Sequence, residues 1–287
     1  MLTAAVLRLG SPVFFGVEMA SEDVAVDDLK KAAEEVRDLG STVLREAWPL
    51  EPLGTLRQAI EAFCDIRRRK ILDGDTSPHA RMYATHGIGT FGALVNAGLI
   101  HREVLPAMFR GGAFHRLCQA YWGGDDFYVA INRLGFRNHH PIQSDRSFIP
   151  YHQDSYTQDV RTPQVLNCWI PLDPGAGRDA PGLEVVRHPC RPDFPRKDFG
   201  LRSENAAYDN ITIDRARIVE EYGEQFMAPE FEVGDGLVFS ENVIHRTYVT
   251  EGMTRPRINF EFRVFSGAHL RPGVQIAELG PLVERVS

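Results

Sequence analysis

Long apolar runs and an excess of basic residues are both absent from this sequence of 287 residues. It has no stretch of about 18 apolar residues, which excludes a membrane-spanning helix. The formal net charge is -7, so the basic face typical of nucleic-acid binders is not expected. Met1 to Gly16 lacks a basic segment, a clean apolar run and a small-residue cleavage site, so no signal peptide is predicted. These absences indicate a cytoplasmic protein with neither a nucleic-acid nor a membrane partner.

Cysteine is scarce and widely scattered. The sequence contains 4 cysteines and no Cys-x-x-Cys pair, which argues against a structural zinc site. We expect reduced thiols, as in other cytoplasmic proteins, and expect three of them to be simple core fillers. The four residues are Cys64, Cys118, Cys168 and Cys190.

Helical patterns dominate the first half of the sequence. Between residues 26 and 39, apolar side chains recur with a spacing near 3.6, which predicts a helix, and Gly40 follows as a stop signal. These apolar residues are Val26, Leu29, Ala33 and Val36. A short strand is predicted over 41–45. Further helices are predicted over about 53–70 and about 99–121, the latter broken near Gly111-Gly112.

The second half changes to short strands separated by Gly, Pro and Asp turns. Strands are predicted over 127–132, 148–152, 164–172, 183–187, 237–240 and 257–265. This pattern favours a double-sheet jelly roll, and the helices before it fit an outer layer. The predicted fold is mainly β with helices: a double-stranded β-helix, or cupin-like jelly-roll barrel, with an N-terminal helical layer.

The strand over 257–265 has one apolar and one polar face, because its side chains alternate with a period of two. The apolar face consists of Ile258, Phe260, Phe262 and Val264. The polar face consists of Arg257, Asn259, Glu261 and Arg263.

No domain boundary is visible, so residues 1–287 are predicted to form a single domain with its core at about 24–265. The stretch 191–230 is polar and rich in Arg and Asp. Loops of that length without strand signals are usually functional or disordered, and this one is predicted to be a lid insertion with a short helix near 213–222. The sequence specifies no oligomeric state.

A set of potential metal ligands occurs in the strand-rich half. His152 and Asp154 are separated by one residue, so at the end of a strand their side chains point the same way. His245 follows another hydrophobic strand and is the best candidate for a third ligand. Two histidines and one carboxylate suit non-haem Fe(II) and leave coordination positions open. Taken alone, His152 would be better interpreted as a polar residue at a strand end.

These ligands lie within longer motifs. Tyr151-His152-Gln153-Asp154 is an aromatic-His-Gln-Asp motif, and it precedes the stretches Cys168–Asp173 and Ala180–Val186. Together with 38–45, these stretches resemble the phytanoyl-CoA dioxygenase family of Fe(II)/2-oxoglutarate oxygenases over about residues 24–265. Where that family often continues with Pro-Gly-Ser-His, this chain has Arg187-His188-Pro189-Cys190, so the following loop is not predicted.

The resemblance implies a ligand set and an activity. It implies that His152, Asp154 and His245 hold Fe(II), and that 2-oxoglutarate and O2 are co-substrates. The expected activity is oxidation of a small organic molecule, most simply hydroxylation, with release of succinate and CO2. The positions that match co-substrate contacts are Arg257, which would pair with the distal carboxylate, and Thr247, Trp169 and Asn132.

Several alternatives remain open at this stage. Arg257 could instead pair with Glu261, and Arg255 is a rival for the carboxylate, although Pro256 favours a turn there. Trp169 could be an ordinary core residue. His139, which precedes His140 and Pro141, is interpreted as a solvated loop residue. The chain could also be a cupin-like metal enzyme that does not use 2-oxoglutarate, or a non-enzymatic barrel that binds a metal or a ligand.

Overall fold

Two antiparallel sheets and a layer of helices make up the computed structural model of the chain. It describes residues 26–77, 87–109, 112–124, 126–130, 134–139, 148–154, 165–192, 194–195, 212–270 and 283–285. Among the described residues, no helix combines the length and the apolar character needed to cross a membrane.

The first helix shows how the sequence sets the helical layer. It spans Val26–Leu39, as predicted, and buries Leu29, Ala33 and Val36. Gly40 ends it with a φ of 79°, a left-handed conformation that favours glycine. The helices are α1 (Val26–Leu39), α2 (Leu50–Leu72), α3 (Phe91–Asn96), α4 (Val104–Phe109), α5 (Ala113–Trp122) and α6 (Arg215–Tyr222).

The larger sheet contains most of the strands. It comprises β1 (Ser41–Leu44), β2 (Ile88–Thr90), β3 (Phe127–Ala130), β4 (Gly135–His139), β5 (Val165–Pro171), β8 (Gly236–Ser240), β10 (Arg257–Ser266) and β11 (Val283–Arg285). Its strand order is β1-β8-β5-β10-β3-β11, and β10 also pairs with β4, which pairs with β2. The long strand β10 therefore joins the two parts of the sheet.

The smaller sheet faces the larger one. It comprises β6 (Gly182–Val186), β7 (Phe226–Met227) and β9 (His245–Tyr248) in the order β7-β6-β9. Apolar side chains from both sheets pack together between them, including Trp169, Leu183 and Phe239. The antiparallel strand pairs and the helical layer confirm the predicted double-stranded β-helix fold.

The two faces of β10 point into different parts of the interior. Its apolar residues Ile258, Phe260, Phe262 and Val264 belong to the large core formed with the helices. Its polar face points into the space between the two sheets, where Arg257, Glu261 and Arg263 line a cavity. The polar face is therefore directed at an internal site.

One predicted strand is wrong. The stretch 148–152 forms an isolated bridge between His152 and His245 and further backbone bonds, such as that from the N–H of Thr247 to the carbonyl of Ile149, but no regular strand. Pro150 has no backbone N–H to donate to a ladder, which limits pairing in this stretch. Around the predicted third helix, the chain forms two separate helices, α4 and α5, while 110–111 lie outside the described residues.

The predicted lid insertion is described only in part. Its expected short helix is present as α6. Residues 193 and 196–211 lie outside the described part of the chain, so the lid itself stays a prediction. The four cysteines are free and buried, in agreement with the predicted reduced thiols.

Candidate metal centre

The isolated bridge brings two histidines together. The backbone N–H of His152 donates to the carbonyl of His245, the reverse bond also forms, and both measure 3.0 Å. Residues paired in this way have neighbouring side chains on one face. The centroids of the two imidazole rings are accordingly 4.1 Å apart.

Backbone carbonyls fix the orientation of both rings. Nδ1 of His152 lies 2.8 Å from the carbonyl oxygen of Pro150, and Nδ1 of His245 lies 3.0 Å from that of Val243. A carbonyl only accepts, so each Nδ1 must carry the proton. Each Nε2 is then left as an acceptor, which is the form that binds a metal.

Asp154 completes a cluster of three buried donors. Its Oδ1 lies 3.8 Å from Nε2 of His152, and its Oδ2 accepts a hydrogen bond of 2.8 Å from Nη2 of Arg263. One donor atom from each of His152, Asp154 and His245 lies within 4.8 Å of the others. Two imidazoles and one carboxylate at this spacing fit a divalent first-row metal and leave coordination positions open.

The surroundings keep the donors in their metal-binding protonation states. Burial, with His245 beside it, lowers the pKa of His152 to about 3. Burial alone would raise the pKa of Asp154, but Arg263 and the two histidines outweigh it, and the net shift is downward. A neutral imidazole and an ionised carboxylate are the forms that a metal needs, so binding requires little proton release from these two groups.

The three donors lie in a cavity between the sheets. The empty space there, including the part that is open to solvent, is about 470 Å³. Apolar side chains such as Ile149, Leu183 and Phe239 share its lining with the polar face of β10. A partly apolar cavity with a few converging polar groups is typical of small-molecule sites.

Arg257 lies in the same cavity and is 1% exposed. Its guanidinium lies over the Trp169 ring, 4.9 Å from the centroid, and its Nη2 donates to Nδ1 of His139 at 2.8 Å. Its Nε and Nη1 have no hydrogen-bond partner among the described residues. Burial lowers the pKa of Arg257 to about 9. A buried cation with unpaired donors destabilises the folded state, so this guanidinium suits a ligand carboxylate.

The contacts of Glu261 and Arg255 bear on the alternatives for this cation. Glu261 accepts a hydrogen bond of 2.8 Å from Nε of Arg137, and the described contacts include no direct pair between Glu261 and Arg257. Arg255 is 48% exposed and lies 3.9 Å from Asp179, outside the cavity lining. Of these two arginines, Arg257 is the one that lines the cavity and has donors there that are unpaired within the described structure.

The other residues considered in the sequence analysis divide into three groups. Thr247 and Trp169 line the cavity, and Trp169 also packs on Phe231, so it is both wall and core. Asn132 lies outside the described residues, as does His140. The interpretation of His139 as a solvated loop residue is wrong, because it is fully buried in β4 and pairs with Arg257.

Sequence patterns missed several residues of the site. Gln153 is fully buried: its Nε2 donates to the carbonyls of Arg191 and Asn242, at 2.9 and 2.5 Å, and its Oε1 accepts from the N–H of Phe194 at 3.0 Å. It ties the His-x-Asp segment to the segment before His245. Arg137, Asn167 and Arg263 also line the cavity. Two of the missed residues had a local signal: Gln153 lies in the aromatic-His-Gln-Asp motif, and Arg263 is a charge on the polar face of β10.

Comparisons with known proteins identify the fold. No protein-family model matches the chain, and no curated protein sequence matches it. Among solved structures, SnoK, a "non-heme alpha ketoglutarate dependent carbocyclase" from nogalamycin biosynthesis, is 15% identical with a TM-score of 0.57, over 95% of this chain and 100% of that chain. EvdO2 from Micromonospora carbonacea var. aurantiaca is 14% identical with a TM-score of 0.55, over 84% of this chain and 94% of that chain. EvdO2 complexed with 2-oxoglutarate is 16% identical with a TM-score of 0.51, over 84% of this chain and 94% of that chain.

Proposed function

We propose that the chain is a non-haem Fe(II)- and 2-oxoglutarate-dependent oxygenase that oxidises a small organic molecule, most simply by hydroxylation. One observation carries the proposal: a buried His-Asp-His cluster shares a cavity with an arginine fork that has unused donors. The first feature fits a metal and the second fits the distal carboxylate of a metal-bound dicarboxylate.

His152, Asp154 and His245 would hold the iron. Together with 2-oxoglutarate and O2, bound Fe(II) supplies the oxidising chemistry, and 2-oxoglutarate leaves as succinate and CO2. Arg263 holds the outer oxygen of Asp154, which fixes the direction of the ligand oxygen. No general base is needed from the protein, and we assign none.

Arg257 would bind the distal carboxylate of 2-oxoglutarate. A planar guanidinium matches a carboxylate with two parallel hydrogen bonds, which a point charge does not. Trp169 and Thr247 would form the wall beside it. The apolar side chains of the cavity exclude water, which strengthens this charge pair.

The solved structures support this proposal at the level of the fold. SnoK is described as alpha ketoglutarate dependent, and EvdO2 has been solved with 2-oxoglutarate bound. Because folds host many chemistries, the residues of the site carry the argument and the fold only agrees with it. Membership of the phytanoyl-CoA dioxygenase family is likewise part of the proposal and rests on the motifs in the sequence.

The test combines metal content with turnover. The native protein should bind about one Fe(II) per chain and convert 2-oxoglutarate to succinate in the presence of O2, faster with a true substrate. His152→Ala, Asp154→Ala and His245→Ala should each lose iron and succinate formation while remaining folded. Full iron occupancy in all three variants would refute the metal site, and oxidation of a substrate without succinate would favour a metal enzyme that does not use 2-oxoglutarate.

A further inference from the structure

Asn167 presents an unsatisfied amide to the cavity. Its side chain is 3% exposed, it lines the cavity, and neither Nδ2 nor Oδ1 has a hydrogen-bond partner among the described residues. Buried amides are normally hydrogen-bonded, because leaving one unpaired is destabilising. The position therefore points to a group that binds in the cavity.

The strand register places Asn167 beside the proposed metal ligands. It lies opposite Arg263 on β10 and opposite Phe239 on β8. Arg263 donates to Asp154, and the Phe239 ring lies 4.8 Å from that of His245. Side chains directly opposite in antiparallel strands are neighbours, about 5 Å apart at Cβ. Both cross-strand neighbours of Asn167 thus contact a metal-ligand candidate.

The same strand face leads from this point to the carboxylate fork. Trp169 follows Asn167 by two residues and points into the same cavity, about 7 Å further along the strand. The guanidinium of Arg257 lies over the Trp169 ring. The wall therefore presents, in order, a donor near the metal ligands, an aromatic surface and an arginine fork.

We propose that Asn167 is a co-substrate-positioning residue, whose Nδ2 donates to the carboxylate at the metal-bound end of 2-oxoglutarate. The proposal rests on the proposed function. The order along the wall matches a dicarboxylate that has one end at Arg257 and the other at the metal. A neutral amide donor suits the inner end, because it satisfies an anionic oxygen and adds no further charge beside the metal.

The experiment compares binding with stability. 2-Oxoglutarate is titrated by calorimetry, without O2, into Mn(II)-loaded native protein, Asn167→Leu and Asn167→Asp. A lost hydrogen bond to a charged group should weaken binding about tenfold or more in Asn167→Leu. The carboxylate of Asn167→Asp should weaken it further by repulsion. Mn(II) affinity should stay close to native in Asn167→Leu.

The thermal stability of the metal-free protein separates this role from a structural one. Because the amide has no partner in the described structure, Asn167→Leu should leave the Tm unchanged or raise it. A lower Tm with unchanged 2-oxoglutarate affinity would overturn the proposal. The matched control is Asn138→Leu, since the Asn138 side chain contacts Cys64 on the helical side of the sheet. That variant should keep native 2-oxoglutarate affinity.

Two further results complete the test. If Asn167→Leu fails to fold, Asn167→Asp decides: native affinity for 2-oxoglutarate in that variant overturns the proposal. If the native protein binds Mn(II) but not 2-oxoglutarate, the proposed function fails first, and this inference fails with it.

Discussion

At the scale of single residues, truncation of Arg257 distinguishes an enzyme that uses 2-oxoglutarate from a metal enzyme that does not. Arg257→Ala should leave the iron ligands intact and strand the distal carboxylate in a dry cavity. Truncating one partner of a buried charge pair typically costs about 2–5 kcal/mol, so 2-oxoglutarate should bind roughly thirty-fold more weakly or worse. Arg257→Lys should fall between, because it keeps the charge and loses the fork. The measurement is succinate formation against 2-oxoglutarate concentration, with iron content checked in parallel.

Arg255→Ala is the control for this experiment. Arg255 is two residues away, about half exposed and outside the cavity lining, so its loss should change the 2-oxoglutarate dependence little. A strong effect of Arg255→Ala with none of Arg257→Ala would move the anchor to Arg255. No effect of either would favour an enzyme that does not use 2-oxoglutarate.

His152 makes the stability of the metal-free protein sensitive to acid. Its pKa falls from 6.5 to about 3 on folding because of burial, so between these values the unfolded chain binds a proton that the folded one does not. Stability should therefore be fully present above about pH 6.5 and fall as the pH drops toward 3, by an amount on the order of 5 kcal/mol for this group.

Denaturant unfolding of metal-free protein at pH 7 and pH 5 measures the slope of the free energy of unfolding against pH. His152→Gln removes the titrating group and should flatten part of the slope, whereas the exposed His101→Gln should leave it unchanged. Equal slopes in the native protein and His152→Gln would show that His152 is not the group responsible.

The sequence located some of these residues and not others for a physical reason. His152, Asp154 and His245 were candidates because their residue types and positions fit a metal site, whereas Arg257 was indicated by the family resemblance. Asn167 is one polar residue in an apolar strand, and its role depends on which strands flank β5. His139 was misread, because a histidine before His-Pro gives no sign that it pairs with a buried arginine.

At the scale of elements, an isolated β-bridge, and not the predicted strand, brings His152 and His245 together. The sequence predicted a strand over 148–152, yet the bridge between His152 and His245 is enough to align the two imidazoles. The alternation along β10 was predicted correctly, because a period of two depends only on local geometry. Whether its polar face borders a cavity depends on the second sheet, which includes the strands β6 and β7, distant from β10 in sequence.

Gln153 joins three segments at this point, and its loss should affect both stability and metal binding. Gln153→Leu leaves two carbonyls and one N–H without their side-chain partner, which should lower the free energy of unfolding by about 3 kcal/mol or more. Metal affinity should fall as well, because the two ligand segments are no longer tied together. Denaturant unfolding and an Fe(II) titration measure the two effects.

Gln58→Leu makes the same chemical change on the exposed face of α2 and should alter neither quantity. Native stability and native metal affinity in Gln153→Leu would contradict the role of Gln153 as a clamp.

At the scale of the whole molecule, the fold concentrates polar groups in one place. The helices cover the apolar side of the larger sheet, so the large core lies on that side. The opposite side faces the smaller sheet, where charged side chains and the metal-ligand candidates meet. The order of helices before strands was enough to predict this layering. A single domain over 1–287 and a cytoplasmic location stay predictions.

The most direct test of the central claim is a titration of 2-oxoglutarate into the protein without O2, with and without Fe(II). We predict binding of about one equivalent per chain that is strong when Fe(II) is present and much weaker when it is omitted, because chelation by the metal adds to the Arg257 pair. Failure to bind 2-oxoglutarate in the presence of Fe(II), or binding of equal strength without the metal, would contradict the account.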